Sequence, residues 1–129
     1  MAPSSSPCSP VYKILTPQEW DEAQQSRSLK TPLDEADGFV HLSGATQLAG
    51  TLQRYFGDAA RVVLVEICPD SLSADLHWEA PVPAGGRPGL FPHLYRDLRL
   101  DDVVQTWVVE RGGFRLPLDV VDQAERDAA

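Results

Sequence analysis

Val11-Tyr12-Lys13-Ile14-Leu15 runs without a break into Thr16-Pro17-Gln18-Glu19-Trp20 (VYKILTPQEW, residues 11–20), and the pattern changes character at Thr16. The first five residues are β-branched, aromatic or long aliphatic in a short run, which reads as a strand. Thr16 then stands as an N-cap, with Pro17 at the first helical position and Glu19 at the third. That spacing is a capping box and predicts a helix from Pro17 to about Gln25. A strand feeding directly into a capped helix points to a chain that mixes both element types.

On the N-terminal side, residues 1–10 (MAPSSSPCSP) are rich in Pro and Ser and are expected to form a disordered leader. They lack the charged start and apolar stretch of a secretory signal. On the C-terminal side, residues 26–38 read as a loop that carries Pro32 and ends in a turn at Asp37-Gly38. Phe39 to Ser43 (FVHLS) alternates as a strand, and Ser43 is placed to cap the next helix. In that helix Leu48, Leu52, Tyr55 and Phe56 share a face, and Gly57 supplies the stop. Arg61 to Ile67 (RVVLVEI) is the most continuous apolar strand and is expected at the centre of the sheet. Short extended segments follow at Leu76 to Glu79 (LHWE) and Phe91 to Tyr95 (FPHLY), separated by a Pro/Gly-rich loop over 80–89. A helical turn at Asp101-Asp102 precedes a last strand, Val103 to Glu110. Residues 112–129 read as a peripheral tail, partly helical near Val120 to Arg126. Residues 11–111 thus make one small α+β domain with two main helices and one sheet.

The bulk numbers fit that reading. A chain of 129 residues is one domain's length and can bury about two-thirds of its unfolded surface without a disulfide or metal. The net charge is −8, from 19 acidic and 11 basic residues. That balance repels phosphate backbones, so direct nucleic-acid binding through a charged surface is not expected. No apolar run approaches the roughly 20 residues that a membrane span needs. Cys8 and Cys68 show no zinc spacing and are expected as thiols, which with the missing signal suggests the cytoplasm.

Period-two alternation assigns side-chain directions. In FVHLS, Val40 and Leu42 point one way, and Phe39, His41 and Ser43 the other. In LHWE, Leu76 and Trp78 oppose His77 and Glu79. In FPHLY, Phe91, His93 and Tyr95 oppose Pro92 and Leu94. All three histidines of the chain lie in these segments. Convergence of the polar faces would gather imidazoles, a hydroxyl, a phenol and a carboxylate, the ingredients of general acid/base or ligand-orienting chemistry. The candidate catalytic groups are His41, His93 and Glu79, with His41, Ser43 and Tyr95 as candidate ligand contacts. Each also has a structural reading. Ser43 serves as a helix cap, Tyr95 packs its ring, His77 and Glu79 are solvated strand residues, and Trp20, Trp78 and Trp107 belong to the core. A metal held by His41, His93 and Glu79 is a further reading, neither supported nor forbidden by spacing.

The segments VYKILTPQEW, DGFVHLS, LHWE and FPHLY, in this order and at this spacing, resemble the domain of unknown function 952 (DUF952) family over about residues 11–110. That family is similar in fold to the ADP-ribosyltransferases and the NAD-using RNA 2′-phosphotransferases. The resemblance implies a curved mixed or split sheet gripping NAD, with no metal. It implies that His41 orients the nicotinamide-side ribose, that Ser43 helps hold the nicotinamide, and that His93 and Tyr95 line the same cleft. It also implies a carboxylate, Glu79 or Glu110, beside the developing oxocarbenium ion. The implied activity is NAD-handling transfer or hydrolysis of the ADP-ribosyl or 2′-phosphoryl type. The alternative is a non-catalytic module binding a nucleotide-like small ligand.

Overall fold

The computed structural model describes residues 10–55, 60–72, 74–80 and 90–110, together with 120, 121, 123 and 127. Strand β1 (Val11–Leu15) and helix α1 (Pro17–Ser26) form as the opening segment predicts. Thr16 Oγ1 accepts from the Glu19 amide at 3.1 Å, and Glu19 Oε1 accepts from the Thr16 amide at 3.0 Å. Arg27 ends the helix in the left-handed region at φ 68°.

The stretch expected as a loop contains a second helix, α2 (Pro32–Asp37). Its signal repeats that of α1: Thr31 caps, Pro32 sits at the first position, and Asp34 replaces Glu at the third. The shorter aspartate still reaches back, accepting from the Thr31 amide at 2.9 Å. Gly38, at φ 84°, closes the helix.

FVHLS is not one strand. Val40–His41 forms β2 and Ser43–Gly44 forms β3, and the two belong to different sheets. The Leu42 amide between them donates to the Pro92 carbonyl at 3.1 Å, where the chain crosses over. The expected Ser43 cap is corrected as well. Gly44 stands at the N-cap of a 3₁₀ turn (Ala45–Gln47), and its amide donates to the Gln47 side chain at 2.8 Å. Helix α3 (Leu48–Tyr55) continues from that turn, with Leu48 and Leu52 buried. Phe56 and Gly57 lie outside the described residues, as do Cys8 and the loop over 81–89.

The remaining strands are β4 (Arg61–Ile67), β5 (Leu76–Glu79), β6 (Phe91–Leu94) and β7 (Val103–Glu110). They build two sheets where one was expected: β3-β1-β4-β7 and β2-β6-β5, with every pairing antiparallel. β4 is an inner strand, as its apolar run predicts. One core gathers Val11, Leu15, Val63, Val65 and Ile67 from the larger sheet with Val40, Leu42 and Leu94 from the smaller. Burying one such side chain stabilises by about 1.5–3 kcal/mol. The other face of the larger sheet, including Tyr12, Ile14, Val62 and Leu64, is covered by Leu48, Leu52 and Val120.

Trp78 departs from the core reading and is 48% exposed. It lies on β5, an edge strand with β6 on one side only, and its ring passes 3.4 Å from the point where a Cβ on Gly44 would stand. Among the described residues, no helix is long and apolar enough to cross a membrane.

Candidate functional site

The three histidines fall in one row across the smaller sheet. His41 of β2 pairs with His93 of β6, and His93 pairs with His77 of β5. Directly opposed residues on antiparallel strands share a face. The His41 and His93 ring centroids are 6.0 Å apart. Phe39 stacks on His93 at 4.0 Å and lies 5.5 Å from Tyr95, whose ring meets His77 edge-on at 5.4 Å. The alternation of these short strands therefore brings together Phe39, His41, His77, His93 and Tyr95.

Glu79 organises one half of this face. Its Oε1 accepts from the Tyr95 hydroxyl at 2.6 Å and meets His93 Nδ1 at 2.9 Å. The Tyr95 hydrogen bond, then that of His93, holds the Glu79 carboxyl below its ordinary range. The same bond to Glu79 raises the Tyr95 phenol. A carboxylate only accepts, so Nδ1 of His93 donates and Nε2 is the acceptor of the neutral ring. His93 is 3% exposed. No described residue hydrogen-bonds its Nε2. This is a carboxylate-oriented imidazole, held by Glu79 at one nitrogen and covered by the Phe39 ring.

The other half is built on a residue that the sequence reading did not single out. Asp34 is fully buried and accepts four hydrogen bonds. Oδ2 takes Lys13 Nζ at 2.7 Å and the Thr31 amide at 2.9 Å. Oδ1 takes the His41 amide at 3.0 Å and meets His41 Nδ1 at 2.6 Å. Burial pushes the Asp34 carboxyl up, but the His41 bond and the Lys13 charge outweigh it and hold the group well below the usual carboxylate range. Burial pulls the Lys13 ammonium down, and Asp34 opposes that. Lys13 reaches Asp34 from the core face of β1, between Val11 and Leu15, and also donates to the His41 carbonyl at 3.2 Å.

His41 Nε2 meets Asp37 Oδ2 at 2.9 Å, so both ring nitrogens face carboxylates. Both contacts are satisfied only when each nitrogen carries a hydrogen. Asp37, read from sequence as part of a turn, is thus a partner of the candidate histidine. The signal for this half was the spacing Asp34, Asp37, His41 following a Thr-Pro cap.

Two candidates lie elsewhere. Ser43 pairs with Tyr12 in the larger sheet, and its hydroxyl bonds Thr51 Oγ1 at 3.1 Å. The sheet crossover at Leu42 breaks the alternation that put Ser43 beside His41. Glu110 ends β7 opposite Arg61, with Arg61 Nε 3.5 Å from its carboxylate. Among the described residues, no group of three or more His, Cys, Asp or Glu side chains is placed to hold a metal.

A family model described as "Protein of unknown function (DUF952)" matches residues 14–106. The chain is also similar to protein CC0527 from Caulobacter crescentus. The crystal structure of that protein is 35% identical, with a TM-score of 0.70 over 78% of this chain and 86% of that one. Its solution NMR structure gives 35% identity and a TM-score of 0.68 over 79% and 85%. No curated protein matches the chain.

Proposed function

We propose that this chain, which belongs to the DUF952 family of proteins of unknown function, handles NAD as a transferase or hydrolase of the ADP-ribosyl or 2′-phosphoryl type. The observation that carries this reading is the shared hydrogen-bonded set of Glu79, His93 and Tyr95 beside His41 on one sheet face. The reading takes the split pair of sheets as a cleft of the ADP-ribosyltransferase kind. Glu79 is anionic and supplies negative charge where an oxocarbenium-like ribose develops positive charge. His93 Nε2 accepts the proton of the attacking hydroxyl. Phe39, His93 and Tyr95 offer ring surface to the nicotinamide, and His41, fixed by Asp34 and Asp37, lies beside the ribose. Ser43 has no part in this assignment.

Calorimetry with NAD and a nicotinamide-release assay test the reading, using His93→Ala and Glu79→Gln as comparisons. Binding with release that falls at least about a hundredfold in either variant fits acid/base and charge-stabilising roles. Neither heat nor nicotinamide from well-folded protein would remove the proposal.

One observation favours a second reading, a nucleotide or small-ligand binding module without turnover. Glu79 Oε1 is already committed to two partners, His93 and Tyr95. A ligand at 100 times its dissociation constant then adds about 2.7 kcal/mol of stability and is recovered unchanged.

A further inference from the structure

We propose that the open edge of β7 docks a second copy of this chain, the two β7 strands pairing antiparallel about a two-fold axis at Trp107. The two four-stranded sheets then become one continuous sheet. The smaller sheet and its histidine face take no part, so the NAD reading is untouched.

An open sheet edge offers unpaired N–H and C=O groups to any strand, and proteins blunt such edges with short strands or with charge. The described sheets end in β3, β7, β2 and β5. β2 and β3 have two residues each, and β5 carries His77 and Glu79. β7 has neither protection. It runs for eight residues and, among the described strands, pairs with β4 alone. From Val103 to Val109 it holds no proline and no ionisable side chain, in a chain whose net charge is −8. Val104 and Val108 are 54% and 63% exposed, and Thr106 between them is exposed as well.

The order of residues favours a copy of the same strand. A two-fold axis normal to the sheet keeps every side chain on its own face, so opposed residues on the two copies match face to face. With the axis at Trp107, that residue meets its own image, Thr106 opposes Val108 and Gln105 opposes Val109. Aromatic pairs and β-branched pairs are favourable cross-strand neighbours. Trp107 already packs in part against the core that contains Leu64 and Val109, and the copy covers what is left open. The paired run, Gln105 to Val109, also stays clear of the slip in the β4 register at Glu66 and Ile67.

Neighbouring axes fit less well. An axis at Thr106 sets Asp102 against Glu110, two like charges. An axis at Val108 sets Glu110 against Thr106 and leaves Gln105 without a partner on β7. With the axis at Trp107, Glu110 is the nearest acid, and it is balanced by Arg61 of its own chain. A foreign strand finds no charged side chain between Val103 and Val109 to choose it by. Because the contact engages one strand a side, well short of a standard interface, the dissociation constant is expected on the order of 10–100 µM.

Sedimentation velocity on the full chain, from about 1 µM to about 1 mM, tests the proposal. The expected result is a shift from monomer to dimer across that range. Val108→Lys places a charge inside the contact and should weaken association at least about tenfold, with the melting temperature unchanged. A wild-type chain that stays monomeric throughout overturns the proposal, whether or not β7 takes up a strand of another protein. A dimer that Val108→Lys leaves intact overturns it too. Should Val108→Lys fail to fold, Thr106→Lys makes the same comparison at another exposed position. Cross-linking then tests the axis in a Cys8→Ser, Cys68→Ser background. Thr106→Cys mixed with Val108→Cys should form a disulfide-linked pair on mild oxidation. Preferential linking of either variant to itself places the axis elsewhere and overturns the pairing proposed.

Discussion

Lys13 and Asp34 are a buried ion pair, 5% and 0% exposed at their side chains, and such a pair stabilises only when its remaining bonding capacity is filled. Asp34 meets that condition, because its other bonds come from Thr31 and His41. Removing the ammonium leaves the carboxylate buried with those bonds alone. Lys13→Met should therefore cost about 3–5 kcal/mol, measured by urea unfolding at neutral pH. Adding Asp34→Asn to it should recover part of that loss, since the uncompensated charge is gone. A Lys13→Met protein as stable as wild type would show that the pair contributes nothing. Lys13 could be read from sequence only as a polar residue in an apolar strand. That it occupies the core face follows from alternation with Val11 and Leu15, but its partner lies 21 residues away, and nothing local to either residue marks the pairing.

At the scale of elements, α2 shows how a short helix fixes the site. Thr31 and Gly38 set its ends, so Asp34 and Asp37 both reach His41. Gly38 has open space around the position of a Cβ, so a methyl group there meets no atom within 4 Å. The cost of Gly38→Ala is then purely that of holding an L-residue at φ 84°, about 1–2 kcal/mol. Thermal unfolding should show that loss, together with weaker anchoring of Asp37 on His41. An unchanged melting temperature would mean that the turn is not held in this form. The capping logic that located α1 was equally present for α2, with Asp in place of Glu at the third position. The elements easiest to read were those with complete local signals: β1, α1, β4 and the strands carrying His77 and His93. FVHLS misled because a crossover between sheets is a tertiary event. Nothing in five alternating residues marks Leu42 as the point where the pairing partner changes.

Across the whole molecule, the two sheets share an apolar core, and the chain from Lys13 through Asp34 to His41 is a polar connection between them. Its protonation therefore belongs to the stability of the fold as well as to the site. Asp34 has a folded-state pKa below its ordinary value of 3.8, so between the two values the unfolded chain binds more protons than the folded one. Stability from this group is then fully present above the unfolded value and is lost as pH falls toward the folded one. Wild-type protein should lose stability as pH drops from about 5 toward 2, over the range where unfolded aspartate takes up its proton. Asp34→Asn removes that titration while leaving Lys13 without its anion. The variant should be clearly weaker at pH 6, and the gap to wild type should narrow steadily on acidification, as followed by urea unfolding at each pH. A gap that stays constant from pH 6 to pH 2 would place the ionisation of Asp34 outside the folding equilibrium, and the link between sheet packing and His41 would lose its electrostatic basis.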